Sequence, residues 1–112
     1  MSDSDAEVSE ITFGGFKTER MASELLWVSV TGTTGYWEVE IEDITLDGDA
    51  QKLCPLQDGK CRVAVDTGTS QLAGPSHLVQ QMNSLLDVRP DCSNFLSLPE
   101  LGFIIGGRVL TL

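Results

Sequence analysis

The stretch that decides the fold is Val63-Ala64-Val65-Asp66-Thr67-Gly68-Thr69-Ser70. An apolar run stops abruptly at an acid, and glycine and small hydroxyl residues follow. This pattern predicts a buried strand ending in a tight loop, with the acid at the strand's exit. A carboxylate in such a place is desolvated, and its pKa rises unless something stabilises the anion. Thr67, Thr69, Ser70 and the loop N–H groups are the expected donors. Asp66 therefore reads as an acid held for chemistry.

Downstream, Gly74-Pro75-Ser76 is a helix-start signal with Ser76 as N-cap. Leu78, Val79, Met82, Leu85 and Leu86 follow at helical spacing and predict a helix that ends near Asp87. Arg89-Pro90-Asp91 then breaks it. Phe103-Ile104-Ile105 and Arg108-Val109-Leu110 flank Gly106-Gly107 as a two-residue hairpin. The chain stops inside an apolar strand at Thr111-Leu112, an end rarely expected of a natural domain, because the last strand would lack its turn and its cover.

Upstream, Trp37-Glu38-Val39-Glu40-Ile41-Glu42 alternates strictly, apolar on one side and acidic on the other. The apolar phase then slips to Ile44 and Leu46, which predicts a bulge or bend near Glu42-Asp43. Asp47-Gly48-Asp49 is a hairpin-type turn. Residues 25–31 alternate in part and predict a strand, closed by the turn Gly32-Thr33-Thr34-Gly35. Ile11-Thr12-Phe13 predicts a short strand ended by Gly14-Gly15, and residues 1–10 form a loose, polar start. No internal repeat or low-complexity segment is present. The fold class is all-β with one or two short helices, occupying residues 11–112.

Composition narrows the function classes. The chain has 112 residues, enough for one modest core. Seventeen acids against seven bases give a net charge of −10. Nucleic-acid binding needs a basic face, so that class is excluded, as is adsorption to anionic lipid. An acidic surface suits a protein that works at low pH, and equally serves simple solubility. No apolar run approaches the roughly 18 residues needed to span a bilayer, so no membrane insertion is expected in this segment. The first ten residues lack the basic-then-apolar pattern of a signal peptide.

Three cysteines are present. Cys54 and Cys61 flank a Pro-Leu-Gln-Asp-Gly-Lys stretch that can turn, and a bridge between them could contribute about 2.5 kcal/mol by loop entropy. Such a bridge would imply an oxidising compartment. Cys92 is left over, so its partner is expected outside this chain. Zinc is not expected, because there is no Cys-x-x-Cys and His77 is the only histidine. No other metal and no cofactor is implied.

Candidate chemistries can be tested in turn. A serine-hydrolase elbow would need glycine two residues after Ser70, but Leu72 stands there. His77 would be the only base available, and a solvated place in the first turn of a helix explains it more simply. Gly14-Gly15 and Gly106-Gly107 lack the spacing of a phosphate-binding loop. A carboxylate pair for glycoside hydrolysis is not excluded by counting acids, yet only Asp66 has a buried-looking context. What remains is acid–base work by paired carboxylates sharing a proton and holding a water between them.

At this point a resemblance becomes specific. Asp66-Thr67-Gly68-Thr69-Ser70 after Val63-Ala64-Val65, followed by Leu72-Ala73-Gly74-Pro75, resembles the second active-site motif of pepsin-like aspartic proteases. Thr12-Phe13-Gly14-Gly15 is similar to the segment that opens that family's C-terminal lobe. Trp27-Val28-Ser29-Val30, Tyr36-Trp37-Glu38-Val39 and Ile44-Thr45-Leu46-Asp47-Gly48 resemble its next strands. Cys54 and Cys61 fall where the family has a small disulfide loop, and Cys92 falls where a third cysteine pairs farther downstream. The short connection from Asp87 to Asp91 and the acidic tone resemble the apicomplexan, plasmepsin- or eimepsin-like branch.

The resemblance implies a partial C-terminal lobe of a bilobal acid endopeptidase acting on polypeptides. Asp66 would be the second catalytic aspartate. Thr69 would hydrogen-bond its carboxylate, Gly68 would let substrate backbone approach, Thr67 and Ser70 would support the loop or line the cleft, and Tyr36 would stand at the cleft wall. The implied partners are a polypeptide substrate and a missing N-terminal lobe with the first aspartate and a flap tyrosine. A secretory, acidic vacuolar or lysosome-like, or extracellular setting goes with it. Departures follow from the same comparison. A second Asp-Thr/Ser-Gly, a flap and the family's closing segments are absent from these residues. One carboxylate cannot be acid and base at once, so these residues alone are expected to be inactive. The alternative is an inactive, protease-like peptide-binding module or a truncated fragment.

Overall fold

The computed structural model describes residues 10–54 and 60–112. Residues 1–9 of the loose start expected over residues 1–10, and residues 55–59 of the turn expected between the first two cysteines, lie outside the described residues. Among the described residues six strands form: β1 Glu38–Ile41, β2 Asp43–Leu46, β3 Asp49–Ala50, β4 Cys61–Ala64, β5 Leu101–Ile105 and β6 Arg108–Thr111. One α-helix, α1, spans Ser76–Leu86, and short 3-10 turns occupy Thr18–Arg20 and Phe95–Ser97. Strands with one helix and two short turns bear out the expected fold class.

The strict alternation of β1 finds its partner in β4. The two pair antiparallel, Glu38 opposite Ala64 and Ile41 opposite Cys61, so Val39 and Ile41 face inward while Glu40 faces out beside Arg62. A second sheet has the order β3-β2-β5-β6, antiparallel throughout. The phase slip at Glu42-Asp43 marks the switch between the sheets. Ile41 still pairs with β4, whereas the Glu42 N–H already donates to Ile104 O at 2.8 Å. The side-chain period restarts there, which lets Ile41 and Ile44 reach one core despite the odd spacing.

That core is small: Ile41, Ile44, Leu53, Cys54 and Leu78, with Cys61, Val63, Met82, Leu101, Phe103 and Ile105 packed around it. Both hairpins form where expected. Asp47 and Gly48 turn β2 into β3, and Gly106 and Gly107 turn β5 into β6; all four have positive φ, as a two-residue hairpin with native twist demands. Helix α1 begins one residue away from the expected arrangement: Pro75 occupies the cap position, its carbonyl accepting the Val79 N–H at 3.0 Å, and Ser76 is the first helical residue. Asp87 ends the helix in the left-handed region, at φ 48°.

Three expectations are corrected. Residues 11–13 and 25–31 form no strand. Their alternation is present, but a ladder needs a neighbour, and Phe13 and Trp27 remain 90% and 83% exposed. The strand before Asp66 is not buried throughout: β4 is half-buried at alternate positions, and Val65 is 62% exposed. Glu10, placed in the loose start, is held by Lys17, whose Nζ lies 2.6 Å from its carboxylate, and by Arg20 at 3.6 Å.

Candidate active site

Strand β4 delivers the chain to Asp66. After Ala64 the ladder continues for one more bond, from the Val65 N–H to Trp37 O at 3.0 Å. Carrying that antiparallel register one residue further brings Tyr36 level with Asp66. Tyr36 is exposed, and its carbonyl accepts the Glu38 N–H at 2.9 Å. The sequence-predicted pair Tyr36 and Asp66 thus lies at the same end of the β1–β4 ribbon.

The chain then folds back on the carboxylate. Asp66 Oδ1 accepts the Gly68 N–H at 2.8 Å, and Oδ2 accepts the Thr69 hydroxyl at 2.7 Å. Both oxygens are therefore oriented by residues two and three positions on, the geometry that Asp favours at turns. Gly68 has a spatial reason to be glycine: a Cβ there would stand 3.2 Å from Asp66 Oδ1, crowding the oxygen its own N–H binds. Thr67 and Ser70 make no hydrogen bond to the carboxylate, so two of the four expected kinds of donor do not act on it in this arrangement.

The electrostatics are the reverse of the desolvated acid expected from the apolar run. Asp66 is exposed. Its pKa lies below the ordinary aspartate value, chiefly because the Thr69 hydroxyl donates to it, and further because the Gly68 N–H does. Donors aimed at the anion favour the charged form, and little desolvation opposes them. This arrangement can hold an ionised carboxylate with both oxygens oriented, which is what a proton acceptor for a bound water requires.

Sequence reading missed Asp43. Only Asp66 has a buried-looking context in the sequence, but Asp43 is only 5% exposed. Its Oδ1 accepts the N–H groups of Leu53 at 2.9 Å and Cys54 at 3.1 Å, and its Oδ2 accepts that of Lys52. The available signal was its position: continued past Ile41, the alternation of β1 places Asp43 on the face of Val39 and Ile41, and both faces of β2 are covered. Cys54 and Cys61 form the expected disulfide, with Cα atoms 5.0 Å apart, and Cys92 is exposed and unbridged.

An open groove of about 510 Å³ runs along α1 between Leu53, His77, Gln80, Gln81, Ser84 and Leu85. It includes neither Asp66 nor Tyr36, so the carboxylate stands on open surface rather than in that concavity. Among the described residues, no three His, Cys, Asp or Glu side chains converge as a metal site requires, and no helix is long and apolar enough to cross a membrane.

The family model described as eukaryotic aspartyl protease matches residues 1–112. Cathepsin E-B of Xenopus laevis is 35% identical over 105 residues, covering 88% of this chain and 25% of its own length. Cathepsin E of Oryctolagus cuniculus is 35% identical over 111 residues, 93% of this chain and 27% of its own length. Pepsin A of Canis lupus familiaris is 33% identical over 115 residues, 96% of this chain and 28% of its own length. The chain thus spans about a quarter of the length of these curated relatives.

Proposed function

The chain belongs to the eukaryotic aspartyl protease family, and on that premise we propose that Asp66 is the second of two catalytic aspartates in a pepsin-like endopeptidase. The observation that carries this reading is the double clamp on its carboxylate by the Gly68 N–H and the Thr69 hydroxyl. Residues 11–112 are then part of the C-terminal lobe. The first aspartate comes from an N-terminal lobe outside this chain, and the substrate is a polypeptide.

In this reading a water sits between the two carboxylates. One, ionised, removes a proton from the water as its oxygen attacks the scissile carbonyl carbon; the other, protonated, donates its proton to the carbonyl oxygen. Collapse of the tetrahedral intermediate breaks the C–N bond, and the departing nitrogen takes up a proton. Thr69 and Gly68 hold Asp66 anionic and oriented for its part. Tyr36, level with Asp66 by register, serves as cleft wall, and Thr67 and Ser70, not engaged on the carboxylate, serve the loop or the substrate. The Cys54–Cys61 bridge suits an oxidising setting, which supports a secretory, acidic lysosome-like or extracellular location. Membership of the apicomplexan branch rests on the short Asp87 to Asp91 connection and the acidic tone.

The test is Asp66→Asn in the full-length protein. Acid-pH cleavage of a peptide substrate should fall by roughly 10³-fold or more while circular dichroism and the thermal transition are kept. Undiminished turnover by the folded variant would remove Asp66 from the chemistry. A wild-type protein that binds peptides without cutting them would favour the binding-module reading instead.

A further inference from the structure

The Asp66 loop is suspended between two elements, β4 before it and α1 after it. Both are fastened to the same short segment, Lys52 to Cys54. Cys54 is bonded to Cys61, the first residue of β4. Leu53 is 5% exposed and belongs to the core cluster that also contains Leu78 of α1. Lys52 and Leu53 belong to no strand or helix, and nothing in their local sequence makes them rigid. Lys52 is held at φ +56°, where a side chain crowds the backbone.

A buried carboxylate fixes the segment's backbone. The buried Asp43 carboxylate accepts three consecutive N–H groups from it, including that of Lys52. Asp43 itself is anchored in β2, opposite Ile104 of β5. The path runs from the four-stranded sheet through Asp43 to the segment, and from there by a covalent bond and by core packing to both ends of the Asp66 loop.

We propose that Asp43 is a positioning residue for Asp66: by clamping Lys52, Leu53 and Cys54 it sets where β4 and α1 present the aspartate loop. The inference rests on the catalytic reading of Asp66, but its first readout does not depend on activity. The isosteric change Asp43→Asn replaces one acceptor oxygen by an NH₂ that cannot accept, so it breaks the clamp while nearly keeping its volume.

The experiment measures backbone hydrogen exchange at the Gly68 N–H, together with kcat and KM, in the full-length protein. Asp43→Asn is expected to speed Gly68 exchange about tenfold or more. It should lower kcat by about tenfold or more, with KM within about twofold. Lys52→Gly should behave as wild type, because glycine adopts the positive φ freely. The double variant Asp43→Asn with Lys52→Gly should recover much of the lost Gly68 protection, a rescue that generic destabilisation would not show. Lys52→Val, at an exposed position, loads the clamp without touching Asp43 and should also speed Gly68 exchange, so the test survives if Asp43→Asn does not fold. Unchanged Gly68 exchange in folded Asp43→Asn or in Lys52→Val overturns the proposal, as does a double variant no better than Asp43→Asn. Undiminished turnover by Asp66→Asn would instead overturn the catalytic reading and leave the exchange results to decide the role of Asp43.

Discussion

Replacing Gly102 by alanine tests the strand register that turns Asp43 inward. Gly102 of β5 lies opposite Thr45 of β2, in the same ladder that sets Asp43 opposite Ile104. A Cβ on Gly102 would stand 2.7 Å from Thr45 Oγ1, 2.9 Å from Leu110 O and 3.4 Å from Thr111 Cγ2. Two of these contacts lie well inside ordinary packing distance, and one is to backbone that cannot rotate away. Overpacking of this kind costs about 1–3 kcal/mol. Thr45 is fully buried and its hydroxyl has no hydrogen-bond partner among the described residues. Thr45→Ala therefore gives up a packed methyl, about 1 kcal/mol, and removes a desolvated hydroxyl whose burial costs a similar amount, for a net change near zero. In the double variant the Oγ1 contact is gone and the Leu110 O contact remains. About half the cost of Gly102→Ala should then disappear, a coupling of about 1 kcal/mol. The assay is urea unfolding of the four proteins, compared by midpoint at unchanged slope, where about 1 kcal/mol moves the midpoint by about half a molar. Single-variant effects that add to within about 0.3 kcal/mol would refute the facing of Thr45 and Gly102, and with it the register that buries Asp43.

Removing the Thr69 hydroxyl should raise the Asp66 pKa toward the ordinary aspartate value, since that donor is the largest cause of its depression; Thr69→Val should show the rise by carboxyl NMR titration and Thr69→Ser should not. The sign for stability follows: with a depressed folded pKa, the charged form's contribution is present above the unfolded aspartate pKa and is lost as pH falls through the folded value. In Thr69→Val that contribution should shrink, so the difference in stability between wild type and Thr69→Val should be largest at neutral pH and vanish in strong acid. Reducing the Cys54–Cys61 bridge opens a short loop, of sequence separation 7, and should lower stability by about 2.5 kcal/mol in matched urea titrations. Cys54 is 0% exposed, so reduction should be slow below the unfolding transition and rapid within it, as thiol quantification against time would show; immediate reduction of the native protein would contradict the burial.

The candidate site was legible where its chemistry is local. Asp66, Gly68 and Thr69 lie within four residues, and a carboxylate at a turn recruits donors two and three positions on whatever surrounds it. For the same reason both two-residue hairpins could be read from Asp47-Gly48 and Gly106-Gly107, whose positive φ is a property of the turn. Helix α1 followed from its apolar spacing and was displaced by one residue only at its start, where capping geometry rather than periodicity decides. Alternation over residues 25–31 misled because it reports a surface suited to pairing and not the presence of a partner.

Sequence by itself determined what the backbone settles within a few residues: the acid-bearing turn, the hairpins, the helix and the outward face of β1. Tertiary structure decided which acid is buried and which is exposed. Asp66 follows an apolar run and was expected to be desolvated, yet β4 is one strand of a two-stranded ribbon and leaves its end open. Asp43 lies beside a row of outward glutamates and nothing in the sequence set it apart from them, yet the chain changes sheets at Glu42 and both faces of β2 are covered. Alternation gives the two faces of a strand, but which face is covered depends on residues far away in the chain. Here the covering groups are the three N–H donors of Lys52 to Cys54, brought to Asp43 by the turn into β3, and β5, which pairs with β2 from the far end of the chain.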